Sequence, residues 1–269
     1  MFATCHGKKI HYEVAGDGFP LILLNGIMMS TNSWTPFVDV FAAQHKLIRM
    51  DFFDQGKSDK METAYDHSIQ VDAIFAVMDA LGLEQADLVG ISYGAQVALQ
   101  AAVRAPSRIR RMVIANASGK TSDWLAEIGH GWNEVAGNGQ AYYYATIPMI
   151  YSSQFYGSRL DWMARRKALL IQVFSDPVFA ASMVRLTDSS EHYDIENKLG
   201  TITIPTLILG SDTDAITPLF EQQKLAAAIP GAELVIMPGV GHASMYEKPA
   251  LFSSLVLGHL AHDQRTFAV

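Results

Sequence analysis

The chain has one cysteine and few charges. The lone Cys5 rules out an internal disulfide framework and fits a reducing compartment. Charged residues make up only 17%, and the formal net charge is −7. That leaves no basic surplus to neutralise phosphates, which argues against nucleic acid as a partner. No stretch approaches the ~20 apolar residues that span a bilayer. Met1 to Lys9 holds no apolar run of signal-peptide length. A cytoplasmic protein without membrane contact is therefore expected. Internal repeats, low-complexity tracts, metal-ligand clusters and phosphate-cradling glycine loops are missing too, so neither a metal nor a cofactor is implied.

Apolar side chains are plentiful. They supply 49% of 269 residues, enough for one large domain with an inserted subdomain. Lys9–Val14 alternates as a half-buried strand does. Pro20–Leu24, Lys46–Met50, Ala86–Val89, Arg111–Ala115, Ile204–Leu209 and Glu233–Met237 read as further strands. Helical spacing marks Ser33–Gln44, Ser68–Leu81, Ala95–Val103, Leu219–Ala228 and a last helix from Lys248 to His262. Strands alternating with helices predict an α/β fold, with a mostly parallel central sheet flanked by helices. From Ser118 to about Leu199 the pattern is helical and aromatic-rich. Residues 1–117 and 200–269 are thus expected to form the core. Residues 118–199 are expected to form a helical cap or lid, whose aromatics either fill its own interior or line an apolar pocket.

Gly90-Ile91-Ser92-Tyr93-Gly94 fits G-x-S-x-G, between a buried strand and a helix. A serine on such a turn has its hydroxyl held away from the backbone, and the glycines remove side chains that would collide. A serine hydroxyl needs a base, usually histidine, and an acid to orient that base. Of nine histidines, His242 stands out, in the loop Pro238–His242 between a strand and the last helix. His6, His11, His45 and His67 are expected on surfaces or strand faces, His130 and His192 in the cap, and His259 and His262 on a solvated helix face. For the acid, Asp212 and Asp214 compete within Gly210–Pro218, and either can also serve as a turn or cap residue.

These residues resemble those of the α/β-hydrolase fold superfamily, with serine esterases and lipases among its members, over about Ile10 to Leu260. Leu23–Ile27 resembles the strand-end segment L-x-H-G-x. Asp51–Asp59 resembles the D-x-x-G-x-G-x-S-D loop. Gly210–Pro218 resembles the acid loop, in which the aspartate stands four residues before proline, and this selects Asp214. The chain order Ser92, Asp214, His242 matches the superfamily. Some members carry the acid after an earlier strand, where this chain has Asn116, which is no carboxylate. The chain departs from the pattern at Asn25, where histidine is usual, and at Asp54, where glycine is usual. Asp54 is expected to alter only local packing.

The resemblance implies a Ser92–His242–Asp214 triad and an oxyanion hole from the main-chain N–H groups of Ile27 and Tyr93. It implies hydrolysis of a small apolar carboxylic ester or thioester through an acyl-enzyme. Asn25, Met28, Tyr93, Trp124 and Tyr143 are the candidate substrate-binding residues. Asn25-Gly26 also resembles acyltransferases that join hydroxyacyl chains, so acyl transfer is one alternative. A ligand-binding receptor that keeps the fold is another, since fold alone does not give function.

Overall fold

A computed structural model describes residues 1–261. Strands β1 (Phe2–Cys5) and β2 (Lys8–Ala15) form a hairpin closed by His6 and Gly7, both in the left-handed region at φ 51° and 74°. Then come β3 (Phe19–Leu24), α1 (Val38–Ala42), β4 (His45–Met50), α2 (Ile69–Ala80), β5 (Ala86–Ile91), α3 (Tyr93–Arg104) and β6 (Ile109–Ala115). A helical segment follows, with α4 (Asp123–Glu134), α5 (Gly139–Ile150), α6 (Ser153–Ser158), α7 (Leu160–Phe174) and α8 (Pro177–Ser189). The sheet resumes with β7 (Thr206–Ser211), α9 (Leu219–Ala228) and β8 (Glu233–Met237), and the described chain ends through α10 (Ser244–Glu247) and α11 (Pro249–Leu260).

The eight strands lie in the order β1-β2-β4-β3-β5-β6-β7-β8. β1 and β2 pair antiparallel, as do β2 and β4, and every later pairing is parallel. Successive side chains on the central strands go to opposite faces. Ile22, Leu24, Leu88 and Ile114 pack under α2 and α3. Leu21, Leu23, Val89 and Val113 pack under Trp34, Phe41 and the α11 residues Phe252 and Val256. With both faces covered, loops at the carboxyl ends of the parallel strands are left to build a site.

Two elements differ from the sequence expectation. The helix expected over Ser33–Gln44 is a 3-10 turn, Thr31–Phe37, before α1. Pro36 has no N–H to donate and disfavours the α region in the residue before it, so regular α-helix starts only after Phe37. The last helix starts at Pro249, as expected within one residue and suited to a first helical position, but a separate turn, α10, stands ahead of it. The expected end of that helix at His262 lies outside the described residues. Among the described residues, no single helix is long and apolar enough to cross a membrane.

Candidate active site

Ser92 joins β5 to α3 with φ 53° and ψ −120°, a conformation sparsely populated for any residue with a side chain. The flanking glycines allow it. A Cβ on Gly90 would sit 2.6 Å from the Gly94 carbonyl oxygen, and one on Gly94 would sit 2.5 Å from the Leu24 carbonyl oxygen. The turn is tied to the sheet by the Ser92 N–H, which donates to the Ala115 carbonyl at 2.9 Å. Tyr93 opens α3, so its main-chain N–H has no intrahelical acceptor.

Two later loops bring the partners. His242 follows β8, and its Nε2 lies 2.8 Å from Ser92 Oγ. Asp214 follows β7, and its Oδ2 lies 2.9 Å from His242 Nδ1. Both side chains are buried. Burial alone would push the Asp214 carboxyl up. The His242 charge and the hydrogen bonds from His242, Asn116 and Thr217 outweigh it and hold the carboxyl below its ordinary value. The donors are numerous. Ile216 and Thr217 N–H give to Oδ1 at 2.9 and 3.0 Å, and the Thr217 hydroxyl, Asn116 Nδ2 and Gln222 Nε2 give to Oδ2 at 2.9, 2.9 and 3.1 Å. Asp212, the competing aspartate, is directed elsewhere and accepts from Gly239 N–H at 2.6 Å, which braces the histidine loop. A hydroxyl, imidazole and carboxylate in this relay can deprotonate the hydroxyl while the carboxylate fixes the ring and steadies its cationic form.

Over these groups opens a pocket whose apolar wall includes Met28, Ile128, Trp132, Ile147, Leu170 and Phe174. Ile27 and Tyr93 border it next to Ser92. Of the expected substrate-binding side chains, Met28 faces this space. Three do not, and the reason in each case is a partner distant in sequence. Asn25 is wholly buried, donates to the Met50 carbonyl at 2.9 Å and to Gln55 Oε1 at 3.0 Å, and accepts from Trp34 Nε1 at 2.8 Å. Gln55 Nε2 in turn donates to the carbonyls of Gly26 and Ile27 at 2.8 and 3.1 Å, so Asn25 braces the turn from behind. Trp124 is half-exposed and donates to the Ala215 carbonyl at 2.9 Å, outside the pocket lining. Tyr143 is buried inside the helical segment with its hydroxyl 3.3 Å from that of Tyr156. Tyr93 borders the pocket, but its phenol hydroxyl is directed away, 2.9 Å from Ser189 Oγ.

His67, expected on a surface or strand face, is buried with its ring against Tyr93 at 4.2 Å between centroids. Burial brings its pKa down to about 3 and keeps it neutral. His259 is half-buried beside the Pro205 carbonyl rather than on a solvated face. Sequence reasoning also missed Glu247, whose carboxylate accepts from the N–H groups of Gly241 at 3.2 Å and Ser152 at 2.8 Å. It joins the histidine loop to the helical segment. Asn116 cannot be the acid, yet its amide sits on the acid, and its Oδ1 accepts from the Ser244 hydroxyl at 2.6 Å.

A family model for the alpha/beta hydrolase fold matches residues 20–249. The chain is similar to MGS-M2, an alpha/beta hydrolase enzyme from a Medee basin deep-sea metagenome library, at 48% identity and TM-score 0.97 over 100% of both chains. It is 29% identical to 2-hydroxymuconate semialdehyde hydrolase of a Pseudomonas species, over 95% of this chain and 91% of that protein. It is 27% identical to Est816, an N-acyl homoserine lactone degrading enzyme, with TM-score 0.78 over 96% of this chain and 99% of the other.

Proposed function

The chain belongs to the alpha/beta hydrolase fold family, and from that premise we propose that this hydrolase is a serine enzyme that cleaves a small apolar carboxylic ester or thioester through an acyl-enzyme. The observation that carries the reading is the continuous relay at the pocket floor, with Ser92 Oγ 2.8 Å from His242 Nε2 and His242 Nδ1 2.9 Å from Asp214 Oδ2.

In this reading Ser92 Oγ attacks the acyl carbon and His242 Nε2 takes its proton. The carbonyl oxygen becomes an oxyanion held by the main-chain N–H groups of Ile27 and Tyr93. Collapse breaks the bond to the leaving alcohol or thiol, which receives the proton from His242. Water then attacks the acyl-enzyme, again with His242 as base, and releases the acid and free Ser92. Asp214 does not change its proton; it orients and stabilises the imidazolium. The apolar wall favours an acyl or alcohol group without charge, and a lactone, the substrate type named for Est816, is a cyclic carboxylic ester.

Residues 1–117 and 200–261 serve as the core in this reading and 118–199 as a cap, since α4, α5 and α7 supply the pocket's apolar wall; the rest of the expected core, 262–269, lies outside the described residues. Acyl transfer from the same acyl-enzyme is the alternative, supported only by the resemblance of Asn25-Gly26. The test is hydrolysis of nitrophenyl esters of graded acyl length by wild type and Ser92→Ala. Turnover that disappears in the variant supports the reading. Equal turnover in the two refutes it.

A further inference from the structure

Asp54 stands where the related motif has glycine, and its backbone has φ 69°. Glycine reaches that region freely, whereas aspartate, though better suited to it than most residues, occupies it at some cost. The Asp54 carboxylate is also completely shielded from solvent. Both features weigh against an aspartate unless its surroundings hold it. Arg185 of α8 does so, with Nη2 2.6 Å from Oδ1 and Nε 3.2 Å from each oxygen. The Met61 N–H donates to Oδ1 at 3.2 Å.

A closed ring of contacts starts from Phe53, the residue before Asp54. Gln70 Nε2 lies 3.4 Å from the Tyr65 hydroxyl and 3.5 Å from the Tyr93 hydroxyl, while Gln70 Oε1 accepts from the Phe53 N–H at 3.0 Å. The Tyr93 hydroxyl meets Ser189 Oγ at 2.9 Å. Ser189 is one helical turn beyond Arg185, on the same face of α8, which closes the ring. The His67 N–H adds a tie to the Ser189 carbonyl at 2.9 Å. At this end of α8, Thr187, Asp188 and Ser190 border the pocket.

We infer that Asp54 and Arg185 are positioning residues: their buried ion pair fixes α8, and through Ser189 fixes Tyr93, so that the main-chain N–H beside Ser92 keeps its aim. The inference rests on the reading of Tyr93 N–H as an oxyanion donor. A donor that is preorganised costs nothing to reorient during reaction, and one left loose loses that advantage. Removing one side of a buried pair leaves the other charge uncompensated, so α8 must shift or admit water.

The test compares Asp54→Gly, Asp54→Asn, Ser189→Ala and Ser92→Ala with wild type, by thermal melting and by kcat and KM on nitrophenyl acetate and butyrate. Glycine suits the left-handed backbone, so Asp54→Gly is expected to fold, and Ser189→Ala leaves the ion pair in place in case it does not. Loss of a whole oxyanion donor costs about 10²–10³ in kcat, and a misaimed one is expected to cost about tenfold. Asp54→Gly and Ser189→Ala should both show that loss with KM nearly unchanged, the pattern of an interaction made only in the transition state. Asp54→Asn keeps an acceptor for Arg185 and should recover part of it. If Ser92→Ala is inactive while Asp54→Gly and Ser189→Ala keep kcat within about twofold of wild type, the positioning role is refuted and the serine mechanism stands. If Ser92→Ala turns over like wild type, the serine mechanism fails and takes the inference with it.

Discussion

Asn116→Asp isolates an electrostatic effect at the centre of the site. Asn116 occupies the left-handed region at φ 51°, which aspartate tolerates nearly as well as asparagine, and the two side chains have the same shape. The backbone and packing therefore stay as they are. What changes is that a second carboxyl takes the place of an amide 2.9 Å from Asp214 Oδ2, in a buried setting. Two like charges about 4 Å apart at an effective dielectric near 20 repel by about 4 kcal/mol. That is worth about 3 pKa units, so the pair should hold one shared proton up to about neutral pH. The folded pKa of the new carboxyl is thus raised above its unfolded value of about 3.9. A raised folded pKa contributes stability that is complete below the unfolded value and is lost as pH rises through the folded one. Relative to wild type, the variant should lose about 1.4 kcal/mol per pH unit above pH ~4, levelling near 4 kcal/mol around neutrality. Urea melts of both proteins at intervals from pH 4.5 to 8 would read this directly. A stability difference that stays constant with pH would refute the reasoning, because it would mean that the two carboxyls do not interact.

Asp214→Asn should lower kcat on nitrophenyl esters by about 10⁴, since the imidazole would lose the partner that sets its tautomer. The same variant tests the depressed Asp214 pKa: wild type gains stability above the unfolded carboxylate range and loses it as pH falls through the folded value. The gap between wild type and variant in urea melts should therefore narrow in acid, and a gap that widens would count against it. Gly94→Ala would place a Cβ 2.5 Å from the Leu24 carbonyl oxygen and 2.6 Å from that of Asn25. Neither backbone atom can yield cheaply, so a loss of about 1–3 kcal/mol is expected, read as a lower urea midpoint with an unchanged slope.

Much of the architecture is legible in the sequence because strand alternation, helical spacing and glycine-flanked turns are local signals. The parallel strands are short apolar runs bounded by turn residues, and the structure has them within about three residues of the expected positions. β1 escapes because Phe2–Cys5 is too short to show a period, and its pairing is set by the hairpin turn at His6-Gly7. The substrate-facing residues are less legible. Trp124 and Tyr143 are aromatic residues of the helical segment, but one answers to Ala215 and the other to Tyr156. Asn25 stands out as a departure from a motif. Its use as a brace depends on Met50, Gln55 and Trp34.

By itself the sequence determined the fold class, the strained turn that presents Ser92, and the identity and chain order of the three candidate residues. The fold class, the turn and His242 follow from residue types at short spacing, while the choice of Asp214 over Asp212 follows from the family resemblance of its loop. Only the tertiary structure decided that Ser92 and His242, 150 residues apart, lie within hydrogen-bonding distance. It alone also revealed that Asn116 bonds the acid and that Asp54 pairs with Arg185, 131 residues away. A side chain's chemical type is local, but its direction depends on the faces that sheet packing brings together. In a buried site every polar group must find a partner, however far along the chain that partner stands.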